Sequence, residues 1–437
     1  MDKENLLNIL RVEVQRSTGC TDPGSVALAV ARAVVELGLP PERIEVLVSP
    51  SVYKNGVGVG IPGTGMRGLD IAAALGAVLA CPEAGLAIFD GVSAEALALA
   101  KALVDSGRAR VGYGETPDPL YVKAEVFHGA RKAHAVIAGD YANFIELGRD
   151  GAASFSSPLA RAMESQDGLA GSSLEALLGL VDAMTEDDLG FLLEAADINL
   201  RAAEAGLASP DLRLGPALAG RGRVGGKAAD LPQPFAAMHL AQVWTAAASE
   251  ARMAGLPVTI MAIAGSGNHG ITYSLGVLAV ARTLGVSRDR LAAALAYAAL
   301  VTVVIKSHVH RMTAFCGCSV AASTGLAAAT VHLLGGGFPI AQAAMQSVIG
   351  TLSGMLCDGA KESCAYKLST SASLAIQCAF AAMEGASIPG GMGIVGPSIE
   401  ESFVNLGQLN NPGMVATNSF VLGLIERNSS SRLEKKS

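Results

Sequence analysis

The sequence lacks any surplus of positive charge: 32 Lys and Arg stand against 39 Asp and Glu in 437 residues, for a formal net charge of −7. Nucleic acid and anionic membrane surfaces are thereby disfavoured as partners, because no basic stripe is present to release phosphate counterions. A small-molecule ligand is the expectation that remains. Long apolar runs are missing too: the longest, Leu291 to Ile305, covers 15 residues between Arg290 and Lys306, too few to span a bilayer comfortably. The opening MDKENLLNILRVEVQR is polar and acidic where a secretion leader needs a basic flank and an apolar core, so a cytoplasmic location is expected. The seven cysteines are odd in number and scattered, unlike a disulfide framework; in a reducing compartment, clustered cysteines serve metals or catalysis. With charged residues at 16% and apolar ones at 51%, the chain is globular, with length for two or three domains and large cores.

Hydrophobic periodicity makes the fold class α+β: a mixed N-terminal region followed by a large all-α domain. A helix over about Lys3 to Arg16 ends at the turn-rich Ser17 to Pro23, placing Cys20 at a helix junction before the apolar run Val26 to Leu37. IEVLVSP alternates like a strand, Gly56 to Gly65 is a glycine loop, Leu69 to Ala80 reads as a helix, and LYVKAEVF and KAHAVIAG read as antiparallel strands joined at His128-Gly129. After the polar stretch Ser154 to Ser173 the pattern is helical, with Thr185 as a helix entry and Gly206 and Gly255 as stops. The expected division is 1–38, helices packing with the C-terminal domain and bringing Cys20 near Cys357; 39–165, α+β; 166–430, all-α with the cysteine motifs; and 431–437, a disordered tail. A site between the two parts suits the usual placement of ligands at domain boundaries, and the Gly- and Ala-rich helices are compatible with a homodimer.

Several motifs carry less than their letters promise. Gly58-Val-Gly60-Ile-Pro-Gly63 matches G-x-G-x-x-G, but Pro62 stands where a dinucleotide fingerprint enters its helix. Gly222 to Lys227 resembles a phosphate loop without its spacing or hydroxyl and reads as a surface turn. Gly265 to Gly270 brackets Asn268 and His269 with glycines that admit close approach of a ligand, or form an ordinary interhelical turn. His308 and His310 fall on different sides of a helix, which disfavours a two-histidine metal site and leaves one of them available as a base; Lys306 and Arg311 read as helix-end charges.

The strongest signal is cysteine in pairs. Cys316 and Cys318 flank one glycine, and Cys357 and Cys364 bracket the charged cluster Asp358 to Glu362. Seven residues of straight helix would hold the second pair about 10 Å apart, so a compact site requires a break, which Asp358-Gly359 supplies. Neither C-x-C nor C-x6-C is a usual zinc spacing, whereas an iron–sulfur cluster tolerates scattered thiolates. Spacing alone favours buried thiols in small-residue helices, the role also expected of Cys81 and Cys378.

Gly19-Cys-Thr-Asp-Pro23, Ser51 to Gly56 with Gly60 to Thr64, Cys316 to Ala322, and Gly354 to Lys361 with Ser363-Cys-Ala365 together resemble L-cysteine desulfidases, relatives of the iron–sulfur serine dehydratase alpha chain. The resemblance runs nearly the whole chain in order; this sequence has Asp22 where that family usually has Glu, and His269 where it often has Gln. It implies a [4Fe-4S] cluster held by Cys357, Cys364 and either Cys316 or Cys318, with one iron open to substrate, and Cys20 as proton acceptor or further cluster ligand, the first a role that nearby positive charge would favour by lowering the thiol's pKa. The implied reaction is β-elimination of L-cysteine to pyruvate, hydrogen sulfide and ammonia. Ser51, Asn55 and Asn268 are expected to orient the amino-acid substrate, and Lys54 or Lys361 to add charge. The alternatives are an iron–sulfur L-serine dehydratase, a non-catalytic thiol or metal sensor on the same fold, and, with less support, a pyridoxal phosphate lyase.

Overall fold

The computed structural model describes residues 1–158, 169, 171–221 and 233–434. The Gly222 to Lys227 turn, much of the Ser154 to Ser173 stretch and the last three residues lie outside that set. Helix α1 (Lys3–Glu13) is capped by Asp2, whose carboxylate accepts from Asn5 N at 2.8 Å, and buries Leu6 and Leu10 in the helical core. It ends earlier than the sequence suggested, because Val14–Thr18 forms strand β1, paired antiparallel with a strand at Thr259–Ile263.

At Gly19 (φ +76°) the chain crosses to a second layer. Helix α2 (Thr21–Leu37), expected with α1 on the helical domain, instead backs a six-stranded sheet. The sheet consists of β2 (Arg43–Val48), β3 (Ala109–Tyr113), β4 (Tyr121–His128), β5 (Arg131–Ala138), β6 (Phe144–Arg149) and β7 (Ala152–Ser156), in the order β3-β2-β4-β5-β6-β7. Only β2 and β3 run parallel. Their connection holds α3 (Pro50–Gly56), α4 (Leu69–Leu79) and α5 (Ala94–Asp105). Period-two burial of Ile44, Val46 and Val48, and of Val122, Ala124 and Val126, turns one sheet face toward α2.

The second half forms the helical body: α6 (Leu174–Asp182), α7 (Glu186–Ala208), α8 (Phe235–Ala254), α9 (Gly267–Leu284), α10 (Arg288–Val309), α11 (Ser323–Leu333), α12 (Phe338–Leu352), α13 (Cys364–Met383), α14 (Ile399–Gln408) and α15 (Val415–Glu434). Among the described residues one strand lies within it, β8 (Thr259–Ile263), and departs from the all-helical reading. Thr185 and Asp188 form a capping box at the start of α7. Gly255 (φ +86°) ends α8, but Gly206 stops nothing: it lies within α7, where a Cβ would sit 2.2 Å from the Ala247 carbonyl oxygen. Among the described residues α10 alone is a single helix long and apolar enough to cross a membrane, and it is mostly buried in this body. Helix α15 continues to Glu434, so residues 431–434 are helical rather than a loose tail.

Candidate active site

The cysteines are placed by two short loops. An antiparallel bridge between Phe315 and Leu356, with Cys316 N donating to Met355 O at 2.6 Å and Cys357 N to Ala314 O at 2.8 Å, sets Cys316 beside the Cys357 segment. Cys318 opens the helical turn leading into α11, and Cys364 opens α13. The chain bends at Gly359 (φ +90°), where a Cβ would lie 2.3 Å from Lys54 O; glycine alone admits both the turn and this approach of α3. Asp358 braces the bend through ion pairs with Lys361 (2.6 Å) and Lys367. Lys361, expected to add charge for substrate, is thus held in its own loop, where it also donates to Asp358 O at 2.7 Å.

The four thiols act on one another electrostatically. A hydrogen bond from Cys318, reinforced by Ser319 and the charge of Lys367, lowers Cys316 to about 6. The same bond, burial and the charges of Cys316, Cys364 and Cys357 hold Cys318 well above the usual thiol range. Burial and the charge of Cys316 raise Cys364 to about 11. Among the described residues no three His, Cys, Asp or Glu side chains converge as a single metal ion would require. Thiols are the donor type that an iron–sulfur cluster takes, and Cys316, Cys318, Cys357 and Cys364 supply it here.

Beside Cys364 lies Cys20, 4% exposed and packed with Val59 and Met253 against Ala360 and Cys364. Its Sγ donates to Asp22 Oδ2 at 3.6 Å. Burial, then the charge of Asp22, pushes the thiol up to about 12, outweighing Arg252; nearby positive charge therefore does not produce the lowered thiol pKa that the sequence suggested. Asp22 itself is raised to about 6 by burial, against the opposing effects of Asn55, Cys20, Arg252 and Lys54. Asn55 bridges the two thiol groups, with Nδ2 donating to Asp22 Oδ1 at 3.4 Å and Oδ1 accepting from Cys357 Sγ at 3.9 Å. Its neighbour Lys54 is buried and donates to Cys357 O at 3.0 Å and Asn418 Oδ1 at 2.5 Å. Ser51 accepts from Asn418 Nδ2 at 2.8 Å and lines a cavity of about 670 Å³ together with Arg311, Met312, Asn410 and Asn418. Met312 links that cavity to the site, its sulfur accepting from Asn55 Nδ2 at 3.9 Å and Tyr141 Oη at 3.5 Å.

The start of α9 closes the opposite side. Ser266 caps it, accepting from His269 N at 3.4 Å, and its hydroxyl lies 4.0 Å from Cys318 Sγ. Asn268 Oδ1 accepts from Arg252 Nη1 at 3.1 Å. His269 presses on Gly317, where a Cβ would meet Nε2 at 2.6 Å; burial and the charge of Lys306 hold its imidazole well below the usual range, hence neutral. Lys306 is not the helix-end charge expected: it is 1% exposed, donates to Arg311 O at 3.0 Å, and is pushed down to about 7 by burial and Arg311, against the pull of Cys318 and Cys357. Arg311 is likewise enclosed, paired with Glu13 at 2.8 Å and Asp140 at 2.5 Å. His308 lies against Phe403, and His310 (φ +61°) caps α10.

Sequence reasoning missed Asp22 as a partner of Cys20, and also Arg252, Lys306 and Tyr141. The available signal for Lys306 was a lone charge at the end of an otherwise apolar helical stretch; Arg252, two residues after Glu250, gave none. The G-x-G-x-x-G segment serves docking: Gly60 N donates to Met253 O at 3.1 Å and Gly63 N to Gly255 O at 3.2 Å. Cys81 is exposed and Cys378 belongs to the helical core.

Residues 71–423 match the family model described as serine dehydratase alpha chain. A UPF0597 protein of Methanocella arvoryzae is 53% identical over 97% of this chain and 99% of its own length. A UPF0597 protein of Desulfatibacillum aliphaticivorans is 36% identical over 96% of this chain and 97% of its own, and the UPF0597 protein YhaM of Salmonella newport is 37% identical over 97% of each. With most of the sequence matched, including all four paired cysteines, the chain belongs to the serine dehydratase alpha chain family.

Proposed function

We propose that this chain is an iron–sulfur-dependent amino-acid β-eliminase, an L-cysteine desulfidase that converts L-cysteine and water to pyruvate, hydrogen sulfide and ammonia. The observation that carries this reading is the convergence of two chemistries in one seam: coupled thiols at Cys316, Cys318, Cys357 and Cys364, and the buried Cys20–Asp22 pair packed against Cys364. Cys316, Cys357 and Cys364 would hold the [4Fe-4S] cluster, which supplies Lewis acidity through its open iron when bound. Cys318, beside Cys316, would favour its thiolate.

Elimination needs a base that is not already protonated when substrate arrives. Cys20 rests as a thiol, whereas Asp22, with a pKa of about 6, is mostly ionised at neutral pH. The substrate's α-proton would pass to Cys20 Sγ as the Cys20 proton passes to Asp22, so that no free thiolate has to form in the buried site. Asn55 keeps Asp22 in place from the sheet side. Burial of Cys20, Asp22 and Asn268 excludes bulk water.

The family match also favours a second reading, L-serine dehydratase, in which hydroxide replaces sulfide as leaving group; the motif resemblance favours cysteine. Full-length protein prepared anaerobically would be assayed for iron and acid-labile sulfide, then for sulfide release from L-cysteine and pyruvate formation from L-serine. Faster turnover of serine would select the second reading. A chain with neither iron nor labile sulfide, and no reconstitution, would refute both.

A further inference from the structure

The guanidinium of Arg252 keeps a buried donor nitrogen without a hydrogen-bond partner. The residue is 2% exposed, Nε donates to Gly19 O at 2.9 Å and Nη1 to Asn268 Oδ1 at 3.1 Å, and Nη2 is buried without a hydrogen-bond partner. Both partners are neutral, and no carboxylate of the described chain pairs with it. Such an arrangement is costly, since a buried cation gives up its hydration, and the acidic groups it acts on, Asp22 and Cys20, attract it only from beyond hydrogen-bond reach.

The first turn of α9 is shaped around this group. A Cβ on Gly267 would lie 2.6 Å from Arg252 Nε and 3.0 Å from Nη2, so glycine there lets the guanidinium lie against the helix start. Backbone N–H groups at a helix start favour an anion, and the planar guanidinium edge matches a carboxylate in particular. Through Gly19 O the same side chain is fixed to the residue before Cys20.

We infer that Arg252, with Asn268 and the first turn of α9, forms the subsite for the α-carboxylate of the substrate, making Arg252 the residue that confines the enzyme to α-amino acids. This deepens the proposed eliminase reading and rests on it for the identity of the substrate. Lys361 and Lys54, the cations singled out in the sequence, are committed to the Asp358 loop and to Cys357 O, whereas Arg252 keeps an unused donor edge.

The test uses anaerobic, cluster-loaded, full-length protein and two ligands without a β leaving group: L-alanine, and ethylamine, which lacks the carboxylate. Calorimetry on the unaltered protein is expected to show L-alanine binding at least about tenfold tighter than ethylamine, the scale of a charge-assisted hydrogen-bonded contact. Arg252→Gln should abolish that preference, and Arg252→Lys should restore part of it. Equal binding of the two ligands by the unaltered protein overturns the inference, as does an Arg252→Gln variant that keeps the preference. If Arg252→Gln does not fold, the comparison on the unaltered protein decides. Because this readout is binding, it is distinct from the eliminase reading: absent pyruvate and sulfide refute the reaction, whereas equal binding of the two ligands by the unaltered protein, or a preference that survives Arg252→Gln, refutes the subsite.

Discussion

Asp22→Asn keeps the shape of the side chain and an amide oxygen for Asn55, while removing the carboxylate that accepts from Cys20 Sγ. The Asp22 carboxyl stands at about 6 against an ordinary 3.8, so at pH 5 about a tenth of it is ionised and at pH 7 about nine tenths. If Asp22 must be ionised to take the Cys20 proton, kcat/KM of the unaltered protein should fall about tenfold between pH 7 and pH 5. Asp22→Asn should lose that limb and about 10²- to 10⁴-fold in rate, the range for removing a general acid–base group. Stability moves the other way. An acid whose folded pKa is raised contributes stability fully present below the unfolded pKa of 3.8 and lost as pH rises through about 6. At pH 7 the buried carboxylate therefore costs the fold on the order of 3 kcal/mol, a cost that Asn avoids. The assay couples pyruvate formation to NADH oxidation from pH 5 to 8, with iron content checked at each pH and denaturant melts run at pH 7. A variant that keeps the rate and the acid limb, or an unaltered protein with a flat profile from pH 5 to 7, would refute the proton path; a less stable variant at pH 7 would refute the account of burial.

The two cysteines of the C-x-C pair are expected to separate cleanly: Cys316→Ala should abolish retention of iron and labile sulfide, whereas Cys318→Ala, which removes a hydrogen-bond donor to the thiolate, should retain both with a changed visible absorbance. Gly60→Ala should destabilise the fold by about 1–3 kcal/mol by denaturant titration, because its Cβ would lie 2.5 Å from the Ala254 backbone. Lys361→Met should change KM for cysteine by no more than about twofold, since a partly exposed ion pair within a loop contributes little; a large rise in KM would return Lys361 to the substrate.

The parts legible in the sequence were those with local causes. Thr185 and Asp188 announced the start of α7 because a capping box is a four-residue device. The turn at Gly129 between β4 and β5 followed from alternation, and the bend at Gly359 followed from the distance that straight helix would impose on Cys357 and Cys364. The pairing of β1 with β8 was not legible, because its energy lies in a partner far along the chain that the local pattern does not mention. The same holds for α2: its apolar composition fits either layer, and only the turn at Gly19 commits it to the sheet. Lys306 and Arg252 were invisible as site residues because a cation near a helix end ordinarily reaches solvent; what buries them is the meeting of two layers.

That meeting explains why the seam holds so many enclosed cations. Arg311 is balanced by Glu13 and Asp140, but Lys54 and Lys306 donate to backbone carbonyls, and Arg252 to a carbonyl and an amide. Among the described residues none of these three has a carboxylate oxygen within ion-pair reach. Each unpaired burial opposes folding by several kcal/mol unless an anion arrives. For Lys306 the carboxylate of Glu13 acts at longer range. For Lys54, Asp22 serves at longer range. Arg252 acts on the same two groups, Cys20 and Asp22, yet keeps a donor edge that neither fills. The seam therefore has room for one more anion on the side of α9, and a carboxylate has the charge and planarity to meet the unfilled Arg252 donor.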